Sequence, residues 1–166
     1  VTPVWCVDRG NVRPVLDGVC VANALAFSPE GTAMYFADTP TGTILRYAYS
    51  GLDGVPRDPE IFAESRAGEG LPDGACVDAE GGVWNARFGG GAVHRYLPSG
   101  EIDMRIEVPV PNVTNVALGG RGWRRLFITT ARAGMDDAAL AAAPEAGGLF
   151  AIDVAVPGLP EGTYRR

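Results

Sequence analysis

Three polar residues stand at equivalent places along the chain and could act together chemically. Asn23, Asp73 and Thr114 each introduce a short apolar run, and Asn23 lies 50 residues before Asp73. Amide and carboxylate oxygens are donors that a hard divalent cation prefers, and a carboxylate can also act as a general base. Taken singly, Asp73 is typical of a Pro-Asp-Gly turn and Asn23 of an Asx turn. Shared chemistry therefore depends on a fold that brings them together.

The sequence around these residues repeats. The segment from Asn23 to Gly31 reads as an apolar run that ends in a turn, and the same plan returns 50 residues later between Asp73 and Gly81. A third, weaker copy begins at Thr114. Repeats of roughly 40–50 residues, each with four short strands, are the signature of β-propeller blades. Equivalent residues of different blades gather around one channel, so we expect the three polar residues to converge.

The repeats predict an all-β chain of about three and a half blades. Residues 1–16 are typical of the outer half of a blade, residues 22–63 and 72–108 of complete blades, and residues 112–166 of a last blade. An incomplete ring leaves open sheet edges and a half-built core. We therefore expect a further segment or a second chain to close the propeller.

The last blade carries an insertion that favours a short helix at residues 136–142. Asp136 and Asp137 suit a helix N-terminus, whereas Pro144 would end the helix. Elsewhere the apolar runs are too short for helices and are separated by Gly- and Pro-containing turns.

Composition excludes several classes of protein. A net charge of −6 argues against a nucleic-acid partner, which would need clustered cations. No apolar run approaches 18 residues, so no membrane association is expected, and the start shows no signal-peptide pattern. Cys6, Cys20 and Cys76 lack C-x-x-C spacing, which favours thiols in a reducing, cytoplasmic setting, although one disulfide plus one thiol stays open.

Several stretches taken together resemble the senescence marker protein/regucalcin/gluconolactonase family. The resemblance covers essentially the whole chain. It is carried by Val21–Gly31, Tyr35–Thr39, Pro72–Gly74, Val77–Trp84 and Gly147–Phe150. It implies a six-bladed β-propeller that binds one divalent metal ion on its axis and hydrolyses a sugar lactone or a related cyclic ester.

The resemblance also implies roles for individual residues. Asn23 and Asp73 correspond to two ligands of the metal, and Asp73 corresponds to the general base; the ion could be calcium, zinc, magnesium or manganese. For Thr114 the only support is its equivalent position in the repeat. That position predicts a substrate-binding residue in the channel. The family's third ligand, a Glu near the start of its members, has no counterpart in these residues, so a metal would be held weakly.

Two departures from the family pattern are visible. Ala24 stands where Gly is usual, which is a conservative change. Asn85 stands where an apolar residue is usual. It must face water or find a partner, because a buried unsatisfied amide costs roughly 1–3 kcal/mol.

Other polar residues suggest no chemistry of their own. His94, the single histidine, is expected on the surface of a strand, and Arg87 in a salt bridge at the rim. Two functional classes therefore remain. One is a metal-dependent lactonase to which this chain contributes the C-terminal half, and the other is a non-catalytic propeller fragment that binds a small molecule or a protein.

Overall fold

The computed structural model describes residues 1–160 and 162. Among these described residues, 54% lie in strands and 7% in helices, and the helical share is far below the third of an average soluble protein. The predicted all-β class is therefore confirmed. The strands form four separate antiparallel sheets. Residues 161 and 163–166, which belong to the last predicted blade, lie outside the described residues.

The first sheet has two strands, β1 (Thr2–Asp8) and β2 (Asn11–Val19). They pair antiparallel around a tight turn at Arg9 and Gly10, both of which have positive φ. Apolar side chains on this sheet remain open to solvent: Trp5 is 55% exposed and Val12 is 61% exposed. The sheet therefore carries an apolar surface that the described residues do not cover.

The second and third sheets have four strands each, connected in sequence order. The strands of the second sheet are β3 (Ala22–Phe27), β4 (Ala33–Asp38), β5 (Thr43–Ala48) and β6 (Arg57–Glu64). Those of the third are β7 (Leu71–Val77), β8 (Val83–Phe88), β9 (Ala92–Tyr96) and β10 (Ile102–Glu107).

The fourth sheet contains β11 (Val113–Gly119), β12 (Arg125–Thr130) and β13 (Leu149–Asp153). Between its last two strands lies the helix α1 (Asp137–Ala142), and the Asp136 carboxylate caps it by accepting from the Ala139 N–H at 2.8 Å. No helix among residues 1–160 and 162 is long and apolar enough to cross a membrane. All three cysteines are described, and none is in a disulfide.

The hydrophobic core lies between the sheets. Tyr35 of the second sheet contacts Phe62 at 4.8 Å between ring centroids, and Phe62 contacts Tyr96 of the third sheet at 5.9 Å. Strands β4, β8 and β9 are buried on both faces and lack the usual alternation of apolar and polar residues. Strands β3 and β11 keep that alternation, because one of their faces stays open. Strand β7 contacts both β3 and β11, so the first strands of three sheets lie side by side.

A buried carboxylate organises the turn between β7 and β8. Asp78 is fully buried and accepts hydrogen bonds from the Gly82 N–H at 2.9 Å, the Trp84 indole at 2.8 Å and Arg95 Nε at 2.7 Å. A Cβ at position 82 would lie 2.6 Å from the Arg95 guanidinium, so any side chain there would displace the guanidinium from its carboxylates. Arg95 also contacts Glu80 and Asp103. This copy of the repeated turn therefore contains a buried ion pair, whereas Ser28 stands at the corresponding position of the earlier copy.

Removal of this ion pair should cost much of the stability of the third sheet. We expect Asp78→Ala to lower the free energy of unfolding by about 3–5 kcal/mol, because the buried Arg95 guanidinium would lose the one fully buried carboxylate among its three partners. Glu80→Ala is the matched control, since its carboxylate is 67% exposed and such pairs contribute about 1 kcal/mol or less. Urea unfolding followed by tryptophan fluorescence measures both, and equal losses would contradict the assignment.

Candidate functional site

The three predicted residues occupy corresponding irregularities in three neighbouring strands. The pairing register shifts between Asn23 and Ala26 in β3, between Pro72 and Ala75 in β7, and just before Asn115 in β11. Each predicted residue lies inside its strand, one or two residues after the start, rather than ahead of it. Bulges of this kind re-aim side chains and are frequent beside active sites.

A hydroxyl group connects Asn23 to the strand that carries Asp73. Asn23 Nδ2 donates to Thr39 Oγ1 at 2.8 Å, and Thr39 Oγ1 donates to the Pro72 carbonyl at 2.8 Å. Because a carbonyl can accept but not donate, the Thr39 proton points at Pro72, and its lone pair must receive the amide N–H of Asn23. The Asn23 Oδ1 atom is therefore turned away from Thr39. The role of Thr39 was not predicted, although it ends one of the stretches that carry the family resemblance.

Asp73 is half-buried and carries an unneutralised carboxylate. Desolvation raises its pKa above the ordinary value, and the neighbouring Gly74 N–H opposes this by donating to the carboxylate. Among the ion pairs of the described residues, none includes Asp73. A carboxylate in this setting is more basic than an exposed one, and its charge is available to a cation or to a proton.

Thr114 lies on β11 beside this strand, but its hydroxyl already has a partner. Thr114 Oγ1 lies 2.9 Å from Thr129 Oγ1. The next residue, Asn115, comes closer to the bulge of β7, since a Cβ at Gly74 would lie 2.0 Å from Asn115 Oδ1. Gly74 therefore leaves the space that Asn115 occupies. Sequence reasoning missed this contact because it depends on two strands that are far apart in the chain.

The polar residue at position 85 has found partners inside the protein. Asn85 is fully buried, and its Nδ2 donates to the Asp73 carbonyl at 2.9 Å and to the Gly74 carbonyl at 3.2 Å. Its Oδ1 accepts from Arg87 at 3.1 Å. Asn85 therefore belongs to the surroundings of Asp73, which its position in the sequence did not indicate.

Two sequence expectations were wrong beside this group. Arg87 is 1% exposed and donates to neutral oxygens; no ion pair in the described part of the chain includes it, so it is not a rim salt bridge. His94 is also 1% exposed rather than on the surface, because β9 is covered on both faces. Burial, followed by the charge of Arg87, lowers the pKa of His94 to about 4, so the ring is neutral near pH 7.

The donor set suits a hard cation but is small. Within residues 1–160 and 162, no cluster of three or more His, Cys, Asp or Glu side chains could hold a metal ion. The available donors are the carboxylate of Asp73 and the amide oxygen of Asn23, both of the type that calcium and magnesium prefer. With one charge among them, these two residues would bind such an ion weakly without a further ligand.

Comparison with known proteins gives a consistent result. The family model of the SMP-30/gluconolactonase/LRE-like region matches residues 3–132. Pentonolactonase XacC of Haloferax volcanii is 39% identical over 92% of this chain and 54% of its own length. The 6-deoxy-6-sulfogluconolactonase of Pseudomonas putida is 40% identical over 93% of this chain and 54% of its own length.

A solved structure extends the similarity to the fold. A calcium-binding protein, regucalcin of Agrobacterium tumefaciens, superposes with a TM-score of 0.93 at 37% identity, over 99% of this chain and 56% of that one. The predicted β-propeller fold is thereby confirmed, whereas the number of blades stays a prediction. The chain spans about half the length of the curated relatives it matches.

The Thr39 hydroxyl should couple the two candidate strands energetically. We expect Thr39→Val to lower the free energy of unfolding by about 1–3 kcal/mol, because it leaves the Pro72 carbonyl and the Asn23 amide without a partner. Thr39→Ser keeps the hydroxyl and is the control. A double-mutant cycle with Asn23→Ala, measured by urea unfolding, should give a coupling energy of at least about 0.5 kcal/mol. Additive losses would show that the connection contributes nothing.

Ionisation of Asp73 should make the protein less stable, which is the reverse of the effect of a carboxylate in an ion pair. Because burial raises its folded-state pKa, ionisation of Asp73 destabilises the fold as pH rises through that pKa. Asp73→Asn should therefore melt higher than wild type at pH 7, and the difference should vanish below the pKa of an unfolded aspartate, about 3.9. Thermal unfolding between pH 3 and pH 8 measures this.

Asp153, whose pKa is lowered rather than raised, provides the control. The hydrogen bond from Arg125 lowers the pKa of Asp153. Asp153→Asn should therefore melt slightly lower than wild type at pH 7 and equally at low pH. An Asp73→Asn variant that melts lower than wild type at pH 7 would show that the Asp73 carboxylate is favourably paired.

Proposed function

The chain belongs to the SMP-30/gluconolactonase/LRE-like family, and we propose that it takes part in divalent-metal-dependent hydrolysis of a sugar lactone or a related cyclic ester. The observation that carries the proposal is the connection between neighbouring strands. Asn23 is hydrogen-bonded through Thr39 to the residue before Asp73, so one amide and one unneutralised carboxylate belong to the same local structure. Relatives named as sugar lactonases support the substrate class.

Asn23 and Asp73 would hold the metal. Asn23 contributes the Oδ1 atom that its hydrogen bond to Thr39 leaves available, and Asp73 contributes a charge that no arginine of the described residues neutralises. When bound, a divalent cation supplies a Lewis acid that polarises the lactone carbonyl and makes water more acidic. The ion is calcium, zinc, magnesium or manganese; a solved relative named as a calcium-binding protein favours calcium.

Asp73 acts as the general base. A water oxygen forms a bond to the carbonyl carbon while Asp73 accepts its proton, and the ring C–O bond then breaks as that proton passes to the departing ring oxygen. The product is an open-chain hydroxy acid. Desolvation, which raises the pKa of Asp73, strengthens it as a base and moves the acid limb of the pH–rate profile upward. Thr114, on the adjacent strand β11, is the proposed contact to a substrate hydroxyl.

The rest of the ring would come from a further segment or a second chain. The two-stranded first sheet, with Trp5 and Val12 more than half exposed, presents an apolar surface of the kind that another part of a propeller covers. Leu25 and Phe27 on β3 are exposed in the same way, at 49% and 42%. The missing ligand would enter with that part.

A non-catalytic role is the second candidate. It is favoured by the small donor set, since the described residues contain no cluster of three ionisable ligands. In that case the same channel would bind a small molecule without hydrolysing it.

Substitution of the two proposed ligands should have different effects. We expect Asp73→Ala to abolish lactone hydrolysis, because it removes the base together with the charge. Asn23→Ala should mainly weaken metal binding, since an amide brings no charge and cannot accept a proton. A pH-stat assay on gluconolactone measures the rate, and calcium titration followed by NMR measures the affinity.

Asp153→Ala is the control for both measurements, because that carboxylate lies on the outermost described strand of another sheet, paired with Arg125. Hydrolysis that survives Asp73→Ala would refute the mechanism. Binding of calcium or lactone by wild type without any hydrolysis would favour the non-catalytic role.

A further inference from the structure

A chain of buried polar groups runs from the loop before β7 to the bulge that carries Asp73. It consists of Arg87, Asn85 and the backbone of Asp73 and Gly74. Both side chains are almost fully buried, at 1% and 0% exposure. Buried polar groups of this kind are costly unless every bond is made. Their geometry therefore shows what they hold in place.

The Asn85 side chain, on the neighbouring strand β8, forms hydrogen bonds with the backbone of the bulge. Pro72 pairs with Arg87 and Ala75 pairs with Asn85, so Asp73 and Gly74 together face the single residue Ala86. A bulge takes its extra residue out of the strand ladder. The two amide protons of Asn85 go to the carbonyls of those same two residues, at 2.9 and 3.2 Å. The bulge is thus fixed by a side chain.

The bond to the Asp73 carbonyl also constrains the backbone that carries the Asp73 side chain. That carbonyl belongs to the peptide unit between Asp73 and Gly74. A trans peptide is planar, so fixing its C=O also fixes its N–H, which points in the opposite direction. The Gly74 N–H acts to lower the pKa of the Asp73 carboxylate against the effect of burial, so a fixed peptide unit bears on that carboxylate as well.

Arg87 determines which way the Asn85 amide points. A guanidinium can only donate, so the Asn85 atom 3.1 Å from it must be the oxygen. Arg87 is itself anchored by the Glu69 carbonyl at 3.1 Å and the Gly70 carbonyl at 2.9 Å. Its acceptors are all neutral, and burial lowers its pKa. A strand that served packing alone would not need a buried cation at this place.

We infer that Asn85, oriented by Arg87, is a positioning residue that fixes the bulge of β7 and with it the direction of the Asp73 carboxylate. The inference rests on the proposed role of Asp73 as ligand and base. It adds to that role a support from the neighbouring strand β8, and it gives the buried asparagine of that strand a function.

The variant Asn85→Asp separates positioning from simple accommodation of Arg87. An aspartate keeps the size of the side chain and offers Arg87 a carboxylate, but it has no N–H for the carbonyls of Asp73 and Gly74. The melting temperature should fall by a few degrees, because two buried carbonyls lose their donor and the new pair with Arg87 offsets only part of that loss, and the bulge loses its support. Asn85→Leu is the second variant, which removes the donor without adding a charge near the metal ligands.

Three readouts decide the matter. In both variants, hydrogen exchange of the Gly74 amide in the metal-free chain should become about tenfold faster or more. The dissociation constant for calcium should rise, and kcat for gluconolactone should fall, each by roughly 10-fold or more, as for other residues that orient metal ligands. KM for gluconolactone should change little.

Asn112→Asp is the matched control. Asn112 is a buried asparagine whose Nδ2 donates to the Ala133 carbonyl at 2.9 Å, so the same substitution removes a similar bond at another place. It should lower stability but leave Gly74 exchange and calcium affinity unchanged.

The outcomes distinguish this inference from the proposed function. Wild-type exchange of Gly74 in both Asn85 variants would overturn the positioning role, whatever the activity of the chain. Faster exchange with unchanged calcium affinity and kcat would also overturn it, because the bulge would then have no bearing on the site. A wild-type chain that neither binds calcium nor hydrolyses gluconolactone would refute the proposed function, while Gly74 exchange would still show whether Asn85 holds the bulge.

Discussion

A bulge in a strand that lies between two neighbouring strands must have its backbone groups satisfied, and this constraint governs the centre of the molecule. In β7 the bulge turns Asp73 out of the regular alternation, but it also leaves carbonyl groups that the strand ladder does not serve. The protein satisfies them with side chains from two sides. Thr39 reaches the Pro72 carbonyl from the preceding sheet, and Asn85 reaches the next two carbonyls from β8. The hydrogen bond from Thr39 therefore supports the candidate site and also joins the second sheet to the third.

The same constraint explains the buried polar residues of β8, Asn85 and Arg87. Asn85, Arg87 and His94 occupy β8 and β9, which are covered on both faces. The first two are bonded into a chain, and the third stays neutral because burial lowers its pKa. By contrast, the Asp78–Arg95 pair serves the turn at the other end of the same strands. The third sheet thus contains a buried network of hydrogen bonds next to the candidate site and a second one that stabilises a turn.

One substitution near the site has a conformational consequence that its chemistry does not suggest. Ala24, judged conservative beside the Gly that is usual in the family, adopts a φ of +52° next to Asn23. An L-residue in this left-handed region costs roughly 1–2 kcal/mol relative to glycine. Its methyl group is 1% exposed and packs with Tyr35 and Phe62, which offsets part of that cost. The bulge of β3 is therefore held by packing. In the bulge of β7 the corresponding residue, Gly74, does not have a positive φ, and its lack of a side chain instead leaves room for Asn115.

Sequence alone determined the repeat of 50 residues, the all-β class, the family and the identity of Asn23 and Asp73 as candidates, because turn residues and short apolar runs are local signals. It did not reveal the contacts that Thr39, Asn85 and Asn115 make, and it placed His94 and Arg87 at the surface. Those assignments depend on which strands become neighbours and on which faces are covered, and such contacts join residues far apart in the chain. Tertiary structure decided them, since the burial of a polar side chain is set by what packs against it rather than by its own sequence surroundings.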